Sequence, residues 1–210
     1  MSLARRSVEF FYCAACPWSY LAFVRLSESV LRTDASISYR PIVAAWLGTD
    51  QAGRHSFATA DYVRKDLQDW ARFCGVRIVS AEPFSAAPEQ AQRGAFAAAR
   101  MGNARDYIGA IYRAQFERQV DIAGRATLLA IADECGLDLA QFQATLDDAA
   151  SLEAVRHNSE ELRQRGGFGS PSMFVGGDLY FGHDRLPLVE SALLRAGERP
   201  FVAPGEHDRP

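Results

Sequence analysis

A cysteine, a proline and the start of a helix follow directly after a short apolar segment near the beginning of this chain. Phe10, Phe11 and Tyr12 are typical of a buried strand, and Pro17 suits the first position of a helix, where its missing N–H would have no partner. Cys16 then lies where a strand end meets a helix start, at the sheet edge where α/β proteins bind ligands. The pattern therefore predicts a sheet with a helix packed on it and a functional thiol at the junction.

The junction also makes a prediction about thiol chemistry. Unpaired backbone N–H groups and the positive end of the helix dipole favour a thiolate at this place. We therefore expect the pKa of the Cys16 thiol to be lowered into a range of about 3.5 to 7.5. Cys13, three residues earlier, is a second candidate for thiol chemistry. The alternative for both is the role of a small buried hydrophobic side chain, which is common for free cysteine.

Composition and charge exclude several classes of function. The chain has 210 residues, 48% of them hydrophobic, so it can bury a core without disulfides or a metal. Its 23 basic and 26 acidic residues are spread along the sequence and give a net charge of -3, which argues for a small-molecule partner and against nucleic acid. No apolar run approaches the roughly 18 residues of a transmembrane helix, so no membrane partner is expected. Four cysteines provide no disulfide framework and favour the cytoplasm.

The order of predicted elements indicates the fold. A strand at 8–12, a helix at 17–31 and a strand at 37–42 form a right-handed βαβ unit with parallel strands. Predicted helices then run through 60–165, and two strands at 172–175 and 179–181 flank a hairpin signal at 176–178. A last helix covers 186–196. The individual helices predicted between 60 and 165 are one that contains Tyr62, Leu67 and Trp70 and ends at Gly75, and four at 106–119, 127–135, 139–146 and 151–165.

This order predicts an α/β protein with a thioredoxin-like fold and an all-helical domain inserted after the second strand. The thioredoxin-like domain is discontinuous, at 1–48 and 156–200, the inserted helical domain covers 49–155, and 201–210 form a C-terminal tail. The cleft between the two domains is the expected binding site.

A second part of the site is predicted before the third strand. Pro171 begins that strand, a position that proline tolerates, and in a thioredoxin fold this proline is cis. Ser170 then offers its backbone N–H and C=O to an extended thiol peptide, as an added strand would use them. The alternative is an ordinary trans proline on an edge strand.

Two polar residues follow the fourth strand. Asp184 either caps the last helix or binds the ammonium group of a ligand, and His183 alone is weak support for acid–base chemistry. The remaining histidines share no metal-ligand spacing with cysteines or acidic residues, so no metal site is predicted.

Taken together, these motifs resemble the DsbA-like superfamily and, within it, the 2-hydroxychromene-2-carboxylate isomerase and kappa-class glutathione transferase family. The resemblance rests on four segments and spans nearly the whole chain. The segments are Phe11-Tyr12, Cys16-Pro17-Trp18-Ser19-Tyr20-Leu21-Ala22, Gly167-Phe168-Gly169-Ser170-Pro171 and Phe181-Gly182-His183-Asp184-Arg185-Leu186.

The resemblance implies a glutathione enzyme that is usually a homodimer. Glutathione would lie extended along Ser170 and Pro171, with its γ-glutamyl end near His183 and Asp184 and its sulfur at position 16, beside Pro17 and Ser19. The implied activity is isomerisation of the 2-hydroxychromene-2-carboxylate type, in aromatic catabolism, or a related transfer of glutathione.

The chain departs from this family at two positions. The isomerases and transferases usually carry serine at position 16 and an acidic residue at position 13, and here both are cysteine. Relative to DsbA-like oxidoreductases, Cys16 matches the nucleophile but Ser19 stands at the resolving position. A thiol is a poorer hydrogen-bond donor than a hydroxyl and can form a mixed disulfide.

Three hypotheses follow. In the first, a glutathione-dependent isomerase or transferase acts on an aromatic or unsaturated electrophile; Cys16 only steadies the glutathione sulfur, and Trp18, Trp46 and Phe57 line a pocket for a flat ring. In the second, Cys16 itself attacks in thiol–disulfide exchange or deglutathionylation, with Cys13 as a possible resolving thiol. In the third, the chain is a catalytically silent thioredoxin-like binding module. Cys16→Ser keeps activity under the first hypothesis and abolishes it under the second, and an unreactive Cys16 favours the third.

Overall fold

The fold is built on a mixed four-stranded sheet, seen in a computed structural model that describes residues 6–47, 60–79 and 88–195. The strands are β1 (Ser7–Tyr12), β2 (Ser36–Pro41), β3 (Ser172–Val175) and β4 (Asp178–Phe181). Their order is β2-β1-β3-β4, with β1 parallel to β2 and antiparallel to β3, and β3 antiparallel to β4. The predicted βαβ unit and hairpin are both confirmed.

Eight α-helices lie in the described part of the chain. They are α1 (Pro17–Thr33), α2 (Ala60–Phe73), α3 (Pro88–Arg100), α4 (Ala104–Tyr112), α5 (Arg125–Glu134), α6 (Leu139–Asp147), α7 (Ala149–Gln164) and α8 (Leu186–Arg195). Short 3₁₀ turns cover Ala44–Leu47 and His183–Arg185, and a π-helical turn covers Arg113–Glu117. We call α2–α6 the helical block.

The sheet buries a different cluster on each face. Alternate residues of β1 point to opposite faces, so that Val8, Phe10 and Tyr12 pack with α1, α8 and the helical block. Phe11 points the other way and packs with Phe174 and with Leu162 of α7 among others. The thioredoxin-like fold with helices after the second strand is therefore confirmed.

The helical block differs from the prediction at two places. Helix α3 was not predicted as a separate element, because its buried side chains are mostly alanines, which give little of the apolar periodicity that marks a core helix. The single helix expected at 106–119 is divided into α4 and the π-helical turn at Arg113–Glu117.

The domain borders stay a prediction. The border expected between residues 155 and 156 falls within the continuous helix α7. The tail expected at 201–210 lies outside the described residues. None of the helices that the structure describes is long and apolar enough to cross a membrane.

Candidate active site

The site is built around a tight turn between β1 and α1. The backbone N–H of Cys16 donates to the carbonyl of Cys13 at 3.1 Å, which closes a four-residue turn through Ala14 and Ala15. Cys16 is the N-cap residue of α1 with extended backbone angles, and Pro17 takes the first helical position as predicted. The strand-to-helix junction inferred from the sequence is therefore present.

The environment of the Cys16 thiol does not match the predicted one. Burial raises the pKa of Cys16 above its ordinary value, although hydrogen bonds from the Ser19 hydroxyl, from the backbone N–H groups of Ser19 and Trp18 and from the Ser170 hydroxyl act in the opposite direction. The expectation of a lowered pKa is wrong for the unliganded chain, because the desolvation of the charged form outweighs these donors. The shift in pKa therefore favours the protonated thiol of Cys16 over its thiolate.

A protonated thiol is a hydrogen-bond donor, and the structure shows where it donates. The Cys16 Sγ lies 3.4 Å from the carbonyl oxygen of Ser170. The Ser170–Pro171 peptide bond is cis, which confirms the prediction for this proline. The carbonyl that the sequence offered to an extended peptide thus already accepts the Cys16 thiol.

The Ser170 side chain has a role that the sequence analysis did not foresee. Its hydroxyl oxygen accepts the backbone N–H of Cys13 at 2.9 Å and lies 2.5 Å from the hydroxyl of the fully buried Ser19. Either hydroxyl can donate to the other: when Ser170 donates to Ser19, the Ser19 hydroxyl donates to the sulfur of Cys16, and in the reverse arrangement the Ser170 hydroxyl donates to that sulfur. One hydroxyl therefore connects the cysteine turn, the start of α1 and the cis-proline loop.

Cys13 is more deeply buried than Cys16. The residue is 4% exposed. Burial, and to a smaller extent electrostatic repulsion from Cys16, raise the pKa of its thiol to about 11. Backbone N–H groups of Ala15 and Ala44 donate to its sulfur and lower the pKa by less than burial raises it. Cys13 and Cys16 are both free thiols.

His183 is held in an aromatic clamp. Its ring stacks on Trp18 at a centroid distance of 5.0 Å, and the edge-to-face contact with Trp70 of α2 is 4.5 Å. Burial lowers the pKa of His183 to about 4, partly offset by Asp184, so the ring is neutral at pH 7. Its Nε2 is buried and has no hydrogen-bond partner among the described residues. His183 therefore packs against Trp18 and Trp70 as a neutral ring rather than exchanging protons.

Asp184 lies on the surface next to this clamp. Its carboxylate pairs with Arg185 on the short turn before α8. The turn is tied to the cis-proline loop by a 3.0 Å hydrogen bond from the Gly182 N–H to the carbonyl of Pro171. Gly182 has a φ of +102°, and a Cβ built on it would lie 2.5 Å from an Asp184 oxygen, so only glycine fits. Asp184 thus lies on a turn that is attached to Pro171. Its role as a partner for the ammonium group of a ligand stays a prediction.

The three predicted pocket aromatics are not shown to meet. Trp18 stacks on His183, whereas Trp46 is 37% exposed and lies under the guanidinium of Arg156 of α7 at 5.4 Å. Phe57 lies outside the described residues. A shared pocket for a flat substrate therefore stays a prediction.

The helical block contributes residues that sequence reasoning missed. The Tyr112 hydroxyl donates to the Cys13 carbonyl at 3.4 Å, and the Tyr112 ring stacks on Tyr20 of α1. The side-chain amide of Gln92, fully buried on α3, donates to the carbonyls of Tyr12 at 2.7 Å and Ile42 at 2.5 Å. A glutamine within an alanine-rich segment belongs to no recognisable motif. Only its polar character on the buried face of a helix indicates that it has a hydrogen-bonding partner.

No cluster of three or more potential metal ligands occurs in the residues that the structure describes. The predicted site residues that do come together are Cys13, Cys16, Ser19 and Ser170, with Pro17 and Pro171 between them.

Comparison with known families decides the class of this arrangement. A model of the DSBA-like thioredoxin domain matches residues 7–194. The chain belongs to this family. It is 29% identical over 195 residues to a 2-hydroxychromene-2-carboxylate isomerase of Sphingobium xenophagum, covering 90% of this chain and 98% of the relative.

Two solved structures show the fold and its range of uses. A 2-hydroxychromene-2-carboxylate isomerase matches with a TM-score of 0.75 and 25% identity, over 90% of this chain and 95% of the other. The cytosolic disulfide reductase DsbM of Pseudomonas aeruginosa, solved with glutathione, matches with a TM-score of 0.60 and 16% identity, over 89% and 95% of the two chains. The resemblance found in the sequence is thus confirmed.

Proposed function

We propose that this protein is a glutathione-dependent isomerase of the 2-hydroxychromene-2-carboxylate isomerase type. The observation that carries the proposal is the hydrogen bond that the half-buried Cys16 thiol donates to the Ser170 carbonyl, at 3.4 Å. A donor at this position can steady a bound sulfur anion. The names of the relatives and of one similar structure point to the same reaction.

The donor set around Cys16 suits a glutathione thiolate. Backbone N–H groups of Trp18 and Ser19 point at the Cys16 sulfur from the first turn of α1, and the Ser19 hydroxyl adds a third donor. A second sulfur beside Cys16 would meet the same positive end of the helix, which favours its anionic form. The cis-proline loop supplies the backbone of Ser170 for an extended peptide such as glutathione.

Bound glutathione would supply a thiolate that adds to a conjugated double bond and leaves again after the resulting single bond has rotated. For this chemistry the chain has to orient and stabilise, and no net oxidation is required. Cys16 turns its S–H from the Ser170 carbonyl to the bound sulfur, and Ser19 completes the donor set. His183 and Trp70 hold the ring of Trp18, two residues after Cys16, and a flat, unsaturated substrate would stack on that ring.

The thiol–disulfide oxidoreductase hypothesis is less well supported as the main activity. Such an enzyme needs a reactive thiolate, and burial acts against one at Cys16. The resolving position of the DsbA-like motif holds Ser19, whose hydroxyl is engaged with Ser170. The hypothesis of a catalytically silent binding module is also less well supported, because the relatives are named as enzymes.

Partner and location remain parts of this proposal. A groove of about 450 Å³ between α1 and α8 exposes Phe73 and Leu194 and would suit the predicted homodimer. Four free cysteines favour the predicted reducing cytoplasm.

The direct test supplies 2-hydroxychromene-2-carboxylate to the purified protein and follows its ultraviolet spectrum. We expect isomerisation with reduced glutathione and none with S-methylglutathione, which has the same peptide but no thiol. Equal rates with both would reject thiol chemistry. A stable thioether of glutathione and substrate, without isomer, would assign the chain to the related kappa-class transferases instead.

A further inference from the structure

The two cysteines of the turn are placed for a reaction with each other that the isomerase chemistry does not use. The turn is closed by the 3.1 Å hydrogen bond from the Cys16 N–H to the Cys13 carbonyl. The Cα atoms at the two ends of such a turn lie within about 7 Å of each other. Disulfides span Cα separations of about 4.4 to 6.8 Å, so the backbone already offers a suitable spacing.

We infer that Cys13 and Cys16 form a dithiol–disulfide pair that small-molecule disulfides oxidise, with Cys16 attacked first and Cys13 acting as the resolving thiol. The pair is shifted towards the strand relative to the DsbA-like motif, in which the second cysteine would stand at Ser19. This inference is independent of glutathione binding, and it rests on the proposed function only for its effect on activity.

Exposure sets the order of the two steps. Cys16 is half-buried at the open end of the turn, whereas Cys13 is 4% exposed and covered by the Ala44 N–H and by Tyr112 at its carbonyl. A disulfide reagent therefore reaches Cys16 first. Cys13 then reacts only with the Cys16 sulfur, once Cys16 has formed a mixed disulfide with the reagent.

The disulfide reagent is the oxidant, and the steps balance without a metal or a further oxidant. The Cys16 thiolate attacks one sulfur of the reagent, breaks its S–S bond and releases one thiolate. The Cys13 thiolate then attacks the Cys16 sulfur and releases the second thiolate, which leaves a Cys13–Cys16 disulfide. Two protein thiols are oxidised, the reagent is reduced to two thiols, and the two protons pass to the released thiolates.

Burial of the two thiols makes their oxidation slow at neutral pH, and the disulfide changes what position 16 can do. Both thiols are held protonated by burial, so the fraction of thiolate, and with it the rate, rises about tenfold per pH unit between pH 7 and 8. Once the disulfide has formed, position 16 has no S–H to donate to Ser170 or to a bound sulfur. Oxidation would therefore lower the isomerase activity reversibly, to about the level of Cys16→Ala.

The test uses bis(2-hydroxyethyl) disulfide, which lacks every peptide group of glutathione, with the full chain at pH 7 and pH 9. Intact mass and peptide mapping are recorded for the wild type, Cys13→Ser and Cys16→Ser, with Cys74→Ser as the matched control. We expect the wild type and Cys74→Ser to lose two hydrogens and to yield a linked Cys13–Cys16 peptide. Cys13→Ser should retain one hydroxyethylthio group on Cys16, and Cys16→Ser should retain none at Cys13.

Two results would overturn the inference. One is a stable hydroxyethylthio adduct on Cys16 of the wild type, as in Cys13→Ser. The other is an unmodified wild type at pH 9, where the thiolate fraction is about a hundredfold larger than at pH 7. Neither depends on a substituted protein that has to fold or on glutathione binding, so a failed isomerase assay would leave this result unaffected.

Discussion

The cysteine turn and the helical block are held by different forces, although they meet at the same strand end. The turn is fixed by polar contacts, from Ser170 to Cys13 and Ser19 and from Cys16 back to Ser170. The block is fixed by apolar and aromatic packing, with buried alanines on α3 and a stack of Tyr112 and Phe116 against Tyr20 of α1.

One buried glutamine joins the two regions. Gln92 reaches from α3 to Tyr12, the last residue of β1 directly before Cys13, and to Ile42, the residue after β2. Its neighbour Arg93 donates to Ser151 and to the carbonyl of Leu146, which ties the same helix to the junction of α6 and α7. The comparison shows that the chemistry sits on the sheet side, while the position of the turn depends on the block.

The largest effect on stability is expected from a substitution of Gln92, which connects the two regions. Gln92→Leu removes the donor to the Ile42 carbonyl and one of the two donors to the Tyr12 carbonyl, which keeps the Ile42 N–H. The free energy of unfolding should fall by about 2 to 4 kcal/mol, since an unsatisfied buried acceptor costs about 1 to 3 kcal/mol and a lost hydrogen bond about 0.5 to 1.5 kcal/mol. Urea unfolding measures it. Gln143→Leu, on the exposed face of α6, is the matched control and should change stability little. Equal effects of the two substitutions would mean that the regions are not joined at Gln92.

This junction also shows what the sequence could predict and what it could not. Cys16, Pro17, Ser170 and Pro171 stand at strand ends and helix starts, where residue type and position have a direct chemical reading, and the structure brings them together. Gln92 acts across a distance of 80 residues from Tyr12, and nothing local to its sequence marks that contact.

The prediction of a lowered pKa for Cys16 was wrong for a related reason. The helix N-terminus was visible in the sequence and predicted a lowered pKa. The burial that opposes it comes from residues distant in the chain, so only the fold reveals which of the two effects is larger.

A second prediction concerns the aromatic clamp, which links the block to α1 through Trp70, His183 and Trp18. Burial lowers the pKa of His183 to about 4, whereas the unfolded chain binds its proton near pH 6.5. Because the unfolded state then binds more protons, stability should fall as the pH falls from 6.5 to about 4, by about 2 kcal/mol at pH 5. Above pH 6.5 His183 should contribute no pH dependence.

His183→Phe isolates this contribution. Phenylalanine keeps a ring between Trp18 and Trp70 but does not titrate, so the acid-induced loss should be smaller in the variant than in the wild type. Urea unfolding at pH 5 and pH 7 gives the difference. Parallel losses in both proteins would show that His183 is not held neutral by the clamp.

A smaller effect is expected within the cysteine turn itself. Ser170→Ala removes the hydroxyl that joins Cys13 and Ser19 and should lower kcat/KM of the isomerase reaction about tenfold, equivalent to one hydrogen bond of about 1.4 kcal/mol. It should also shift the alkylation of Cys16 by iodoacetamide to higher pH. Ser170→Thr keeps the hydroxyl and should restore both properties.

Ser172→Ala is the control for this prediction. Ser172 donates to the carbonyl of Gly169 in the same loop but touches neither cysteine nor Ser19. If it lowered kcat/KM and shifted the alkylation profile as much as Ser170→Ala does, the effect would belong to the loop as a whole and not to the Ser170 hydroxyl.

The central claim, that Cys16 steadies a bound sulfur as a hydrogen-bond donor, is tested most directly by the glutathione-dependent isomerase activity of Cys16→Ser beside Cys16→Ala. A hydroxyl donates at least as well as a thiol, so Cys16→Ser should stay within a few-fold of the wild type, while Cys16→Ala should lose about tenfold or more. Loss of all activity in Cys16→Ser would contradict the claim, since it would mean that the sulfur of Cys16 is itself the attacking group.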